Sequence, residues 1–549
     1  VNSIGGLLEQ RAQEFGDKMY LHFANLAISY KEMNLTVNRT ANAFRNAGIE
    51  KGDRVAIMLS NRPEYLFLWY GLNKIGASMV PINTEFTAYE AEYLINHSDS
   101  KMLAIDEGRR HIMEKLKENC PGLKQSILLD GAPSKDNEIA FEEFIRLHSA
   151  EFSLPSIELD DEAAVLYTSG TTGRPKGCIV DHFYYLNIAR KHVDVHMITD
   201  RDIILTPLPL FHMNAQTTTS VAGCFAGASI VLIDRFHPTT WWQQIKDHEV
   251  TYFHYLGVIP AILNALPPNE NDYLPKKVYG IGAGVPKDIH ASFEKRFNVE
   301  LLEIYGSTEG GCGGAFMTGR RIKDRKVGTS SFGRPITDVD AKIVDDWDRE
   351  VPYGETGELL TRNTDPNNPR KGFMKGYLKD EKATEEAWRG GWFHTGDFCY
   401  RDEEGFYYFV DRKKDIIRRS GENISASEVE TIIRQHPAIA DVAAIAVPNK
   451  KRIEEIKVYI VRSKEDQVSP EEIIHWCEER LAYFKIPRYV EFRETLPKTA
   501  TEKVKKKDLK TEKDDLTIDA WDRTKYMKLK REIEKEKKRS KGLSLEERR

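Results

Sequence analysis

At 549 residues the chain exceeds what one ordinary core organises, so two or more domains are expected. Its 40% hydrophobic and 30% charged residues are globular in balance, and a net charge of -5 lacks the basic bias that nucleic-acid binding leaves. The six cysteines (Cys120, Cys178, Cys224, Cys312, Cys399, Cys477) show no Cys-x-x-Cys pair, which argues against a zinc site or disulfide framework and suits a reducing cytoplasm.

The first residues lead straight into the amphipathic run Leu7 to Ala12, with no signal peptide and no apolar stretch of membrane-spanning length. Arg54 to Leu59 predicts a buried strand behind the turn Lys51-Gly52-Asp53. A helix is expected next, capped by Asn61 or Ser60, with Pro63 in its first turn and Gly76-Ala77 at its end. Strand and helix alternate again through Met79–Ile82, Met102–Ile105 and Ser126–Leu129, a pattern of α/β layers with helices on sheet faces. Further strands are expected near Ala163–Tyr167, Ile230–Ile233 and Val250–Tyr255. Gly280, Gly282 and Gly284 are misplaced for a dinucleotide fingerprint, and Pro286 follows at once. From about Gly354 the texture becomes β-rich, with segments at 357–360, 391–397 and 405–410.

The charged run Asp411 to Asp415 marks the expected boundary, giving a large domain over 1–413 and a small α+β domain over 414–510. Residues 511–549 are almost wholly charged and predict a solvated helical tail docked by Trp521, Tyr526, Leu529 and Ile533; a partner-binding or membrane-surface helix is the other reading.

One stretch carries more chemistry than the rest. Leu166 to Gly177 reads Leu-Tyr-Thr-Ser-Gly-Thr-Thr-Gly-Arg-Pro-Lys-Gly, a strand running into hydroxyls, glycines and a lysine. Glycines let backbone N–H groups turn inward, hydroxyls add short donors, and lysine adds a point charge, so such a loop can wrap a polyphosphate. The usual Gly-x-x-x-x-Gly-Lys-Ser/Thr pattern does not fit it. Tyr-Thr-Ser-Gly-Thr-Thr-Gly followed by Pro-Lys-Gly resembles the phosphate loop of the adenylate-forming family of acyl-CoA synthetases, luciferases and peptide-synthetase adenylation domains. Five more pieces occur in that family's order: Pro207–His212, Tyr305–Glu309, Trp392–Asp397, Val410 to Glu422, and Leu496 to Lys503. Phe211-His212 and Arg419 to Ser425 look most like acyl-CoA ligases, in the general style of the crotonobetaine/carnitine-CoA ligase branch.

The resemblance implies a large layered α/β domain with a β-rich segment, a small mobile C-terminal α+β domain, and ATP, Mg²⁺ and coenzyme A as cofactors. It assigns Thr168, Ser169, Gly170, Thr171, Thr172, Gly173 and Lys176 to the β- and γ-phosphates. Thr308 is expected at the α-phosphate and Glu309 on Mg²⁺, the bland alternative for Glu309 being a carboxylate at a helix N-terminus. Tyr305 would stack on adenine, next to Gly306 and Ser307, with Gly282, Ala283 and Gly284 as a flat wall. Asp397 would accept the ribose hydroxyls with Arg412 assisting. Lys503 matches the lysine that bridges carboxylate and α-phosphate, although Thr501-Glu502-Lys503 stands where the family has Ser-Gly-Lys, and Lys505, Lys506 and Lys507 are rivals. Lys414 matches the hinge. Gly421 and Arg419 are placed with CoA. Lys450, Lys451 and Arg452 either hold CoA phosphates or form a loop charge cluster. His212 resembles the aromatic gate of the acyl pocket, whose other candidates are Tyr255, Gly257, Gly280 and Cys312; the glycines are expected to leave room there.

The function implied is AMP-forming acyl-CoA ligation, in which a carboxylic acid and ATP give acyl-adenylate and pyrophosphate, and CoA then gives acyl-CoA and AMP. An adenylate former with a different acceptor and a non-catalytic nucleotide or acyl binder are the alternatives. Expected partners are small molecules only, with neither nucleic acid nor a transmembrane segment, and with a homodimer compatible.

Overall fold

The computed structural model describes residues 1–528 apart from 169–173, 271, 288, 312, 321–324, 330, 346, 413–415, 421, 450, 451, 464–466, 498–503 and 505. At 258, 410–412, 416, 423, 425, 427 and 507 it describes the backbone alone. The chain divides into two compact units, one built from Val1–Thr168 and Pro175–Lys414 and the other on Asp415 onward.

In the first unit, parallel strands Arg54–Met58, Ser78–Pro81, Met102–Asp106 and Gln125–Leu129 lie side by side. Glu162–Thr168 joins Ser78–Pro81 in parallel at Met79–Ala164, and Lys176–Asp181 folds back antiparallel to it. Their near-continuous apolar residues are what a strand covered on both faces requires. Helix Pro63–Ile75 begins with Pro63 at its first turn and stops at Gly76, whose φ of +78° is the left-handed conformation glycine adopts without steric cost.

The cap expected from Asn61 or Ser60 is not formed, because Arg62 occupies that position and no side chain caps the helix. Asn61 is engaged elsewhere. Its amide donates to the carbonyls of Leu208 and Ile233, both at 2.9 Å, and its oxygen accepts the Leu210 N–H at 2.7 Å. A buried amide with three backbone partners is satisfied more fully than one serving as a cap.

A second sheet runs parallel through Ser229–Leu232, Ile203–Thr206, Tyr252–Leu256, Val278–Ala283 and Val299–Tyr305. It continues antiparallel into Phe316–Met317, Ser331–Pro335, Tyr407–Arg412, Phe393–Arg401, Gly357–Asn363 and Val339–Val344. The β-rich texture read from Gly354 onward is this antiparallel half. Helices alternate with these strands along the chain, giving the mixed α/β class expected.

The second unit has its own core, including Ile417, Val429, Ile433, Val458, Ile460, Ile473 and Cys477. Strands Ile439–Asn449 and Ile453–Arg462 pair antiparallel, Tyr489–Arg493 adds in parallel, and helices Ala426–Arg434 and Pro470–Glu478 complete the α+β pattern. Ser469 and Glu472 form a reciprocal cap at the head of the latter helix.

The expected helical tail from residue 511 is corrected at its start. Trp521–Asp522 is a strand pairing antiparallel with Tyr489–Arg493, fixed by the Arg488–Asp522 ion pair at 3.1 Å and by Trp521 packing on the unit's core. Leu509 and Leu516 are buried, and helix resumes only over 523–528. Among the described residues, no helix is long and apolar enough to cross a membrane.

Candidate active site

The glycine- and hydroxyl-rich turn leaves strand Glu162–Thr168 and re-enters strand Lys176–Asp181, with Thr168 and Lys176 opposite each other across the pair. Ser169, Gly170, Thr171, Thr172 and Gly173 lie outside the described residues. Both ends of the turn are anchored. Tyr167 Oη meets His97 Nδ1 at 2.8 Å, and Tyr93 donates to the Pro175 carbonyl at 3.2 Å.

Thr168 Oγ1 donates to Glu309 Oε1 at 2.8 Å, joining residues 141 positions apart. Tyr377 reaches the same oxygen at 3.4 Å. Glu309 stands in a turn, so the alternative of a carboxylate heading a helix does not describe it. Its carbonyl accepts the Met374 N–H at 3.0 Å, and the neighbouring Thr308 carbonyl accepts from Tyr184 Oη at 2.9 Å. Ser307 Oγ accepts the Gly310 N–H at 2.9 Å, which makes that hydroxyl a turn former, while Gly306 is exposed. The Lys176 ammonium lies over the Tyr377 ring, 4.7 Å from its centroid. Lysine and threonine donors and a carboxylate acceptor are therefore gathered around Tyr377 and the end of the loop strand.

Tyr305 ends the strand Val299–Tyr305 and donates to Asp397 Oδ2 at 2.7 Å. Its ring is stacked on Phe332, with centroids 4.7 Å apart at 27°, and meets Phe316 edge-on at 5.7 Å. Burial and the Asp397 carboxylate hold the phenol well above its ordinary value, so it remains a donor. Asp397 pairs with Arg412 across the antiparallel ladder, and its N–H donates to Thr395 Oγ1 at 3.1 Å. The Arg412 side chain lies outside the described atoms.

Gly282, Ala283 and Gly284 close the strand Val278–Ala283. A Cβ at Gly282 would fall 2.1 Å from the Tyr255 carbonyl, so glycine is required for the strands to approach. The wall is held from behind by Glu303, which accepts the N–H groups of Gly284 at 2.8 Å and Val285 at 3.3 Å and the Tyr255 hydroxyl at 2.5 Å.

This geometry brings the described parts of three separated motifs together within the first unit. The comparison with known proteins agrees: residues 8–378 match the family described as AMP-binding enzyme, and residues 428–503 match its AMP-binding enzyme C-terminal domain. The chain belongs to the AMP-binding enzyme family. Crotonobetaine/carnitine–CoA ligases of Escherichia coli and Shigella flexneri are each 36% identical to it over 488 residues, covering 88% of this chain and 93% of theirs. Among solved structures, o-succinylbenzoate CoA synthetase from Bacillus subtilis aligns with a TM-score of 0.80 at 26% identity, over 92% of this chain and 98% of that one. A Mycobacterium tuberculosis fatty acyl CoA synthetase aligns at 0.66 and 28% identity, over 93% and 98%.

Within this family member, the acyl-pocket expectation needs revision. A methyl group at Gly280 would meet Phe253 and Leu301 at 2.6 Å each, and one at Gly257 would fall 1.9 Å from the Gly284 carbonyl. These glycines admit neighbouring chain and side chains, and the room expected at them is filled. Tyr255 is fully buried and committed to Glu303, behind the Gly282–Gly284 wall. Cys312 lies outside the described residues. His212 is exposed, with its ring against Phe211 at 4.7 Å, just before the buried π-helical turn Ala215–Val221.

In the second unit, the Arg419 side chain is committed to partners inside that unit. It is 2% exposed, pairs with Glu455 at 2.8 Å, and donates to the carbonyls of Phe484 at 2.6 Å and Ile486 at 3.2 Å. Burial lowers it to about 10, which leaves it a cation at neutral pH. A guanidinium with a buried carboxylate and backbone acceptors is a structural tie. Lys414, Gly421, Lys450, Lys451 and Lys503 lie outside the described residues.

Sequence reasoning missed Glu303, Tyr377 and Asn61. Glu303 left a trace, since a carboxylate interrupts the apolar strand Leu301-Leu302-Glu303-Ile304 and must find partners inside. Tyr377 sits on a two-residue strand with no periodic signal.

Proposed function

We infer that the chain is an AMP-forming acyl-CoA ligase, converting a carboxylic acid and ATP to acyl-adenylate and pyrophosphate and then passing the acyl group to CoA with release of AMP. The observation that carries this reading is the Thr168–Glu309 contact, which joins the phosphate-loop strand to the Tyr-Gly-Ser-Thr-Glu motif.

Two anions must meet in the first step, so positive charge and hydrogen-bond donors have to stand where negative charge grows. Lys176, Thr168 and the loop 169–173 would hold the β- and γ-phosphates, and Thr308 would donate to the α-phosphate. Glu309, a hard oxygen donor beside that cradle, fits a magnesium ion, which when bound would neutralise phosphate charge. Tyr305 would stack on adenine, and Asp397 with Arg412 would hold the ribose. Lys503, carried by the second unit, would bridge carboxylate and α-phosphate and so fix the line of attack. Movement about Lys414 would then bring Gly421 and the CoA thiol to the adenylate, with water excluded meanwhile. His212 would border the acid.

The Escherichia coli and Shigella flexneri relatives are named for crotonobetaine and carnitine, so the acid we expect carries a quaternary ammonium, for which an aromatic or acidic wall is the natural receptor. The setting proposed is the cytoplasm, and a homodimer is to be tested by sedimentation.

The decisive experiment supplies purified protein with MgATP, CoA and a panel of acids graded in length and charge. Acid-dependent exchange of labelled pyrophosphate into ATP, together with thiol loss equal to AMP release, is the expected result. Exchange without thiol consumption would point to another acceptor, and the absence of both would remove the enzymatic reading.

A further inference from the structure

We propose that Tyr377 is a positioning residue that keeps Lys176 and Glu309 apart and aims both at the same polyphosphate. The proposal rests on the reading of Glu309 as the carboxylate toward the magnesium ion and of Lys176 as a phosphate contact.

Two opposite charges facing one small site tend to collapse onto each other. An incoming metal–phosphate complex would then have to break that pair before it could bind. Lys176 and Glu309 do not form such a pair among the described residues. The tyrosine stands between their roles. Its ring face holds the Lys176 ammonium at 4.7 Å, and its hydroxyl reaches Glu309 Oε1 at 3.4 Å, beside the Thr168 donor at 2.8 Å.

The backbone around Tyr377 is fixed to both partners' elements. Gly376–Tyr377 pairs antiparallel with Cys178 and Ile179, and the Leu378 N–H donates to the Gly177 carbonyl at 2.7 Å, immediately after Lys176. Three residues before Tyr377, the Met374 N–H holds the Glu309 carbonyl at 3.0 Å. The Tyr377 N–H is itself tied to Thr384 Oγ1 at 2.9 Å. One five-residue segment thus sets the separation of the lysine and the carboxylate. A side chain hung there acts on both together.

The test uses the full-length protein with a non-hydrolysable ATP analogue, and Mn²⁺ read by electron paramagnetic resonance in place of Mg²⁺. Tyr377→Phe keeps the ring and deletes the hydroxyl; Tyr377→Leu deletes both, and melting curves confirm folding of each. In the Phe variant the Mn²⁺ needed for half-saturation should rise by roughly three- to tenfold, with metal-free nucleotide affinity within about twofold of the original. The Leu variant should in addition weaken metal-free nucleotide binding by roughly five- to tenfold. Glu309→Gln is the reference. If it shifts Mn²⁺ binding and neither Tyr377 variant does, the tyrosine role is overturned. If Glu309→Gln itself shifts nothing, the metal assignment of Glu309 is overturned, and the Tyr377 proposal falls with it.

Discussion

Tyr305 donates its phenolic hydrogen to Asp397 Oδ2 across 2.7 Å, so the ring expected to meet adenine and the acid expected to meet the ribose are oriented by one bond. Tyr305→Phe keeps the stacking face and removes that donor. ATP KM should rise by roughly five- to tenfold, the size of a hydrogen bond to a charged group, with kcat changed less than about twofold. Steady-state kinetics over ATP concentration reads this directly. An unchanged KM would mean that the bond orients nothing the nucleotide uses.

Glu303 collects three donors behind the Gly282–Gly284 wall. Glu303→Gln halves its acceptor capacity and places an NH₂ against a donor. We expect a loss of about 1–3 kcal/mol in urea unfolding together with weaker ATP binding. Tyr255→Phe removes only one of the three donors and should cost less on both measures.

Arg419 and Glu455 separate structural from CoA-binding roles. Arg419→Met leaves the buried Glu455 carboxylate with only the longer contacts of Arg452 and Arg488, each at 3.6 Å, and about 1–3 kcal/mol of stability should be lost. The double variant Arg419→Met with Glu455→Met should recover a large part of it. CoA KM, measured below the melting transition, should stay within about threefold of the original. A selective rise in CoA KM without loss of stability would restore the role the sequence suggested.

His192, His196 and His254 are all fully buried in the first unit, with the rings of His196 and His254 lying 4.4 and 5.6 Å from that of His192. Burial pushes His192 down to about 3 and the other two well below their ordinary value. The unfolded chain takes up protons near pH 6.5 that the folded chain refuses. Their stabilising effect is therefore complete above about pH 6.5 and declines as the pH falls toward about 3, by up to about 1.4 kcal/mol per pH unit for each ring. His192→Leu should flatten that slope by about one proton between pH 6.5 and 4.5 in denaturant titrations.

Alternating strand and helix was legible because apolar runs such as Arg54–Met58 and Gly-terminated helices such as Pro63–Ile75 announce themselves locally. The order of the motifs likewise led to the family, and Thr168 meets Glu309 while Tyr305 meets Asp397. What could not be read was which partner a polar residue would choose across long sequence separations. Asn61 looked like a cap and serves the backbone near residue 208. Arg419 sat in a ligand-binding motif and is tied to Glu455. Gly280 promised space that Phe253 and Leu301 fill, since a glycine reveals only that its own Cβ is absent and never what occupies the gap.

The three bonds of Asn61 couple distant parts of the first unit through a single side chain. Any acid that displaces the Pro207–His212 segment on entry must break those bonds or carry the head of helix Pro63–Ile75 along with it. That helix lacks a capping side chain and so resists such a pull only weakly at its first turn. Were the acid to press on that segment, its size would be felt beyond the atoms it touches, as a mechanical load on the opening turn of a helix.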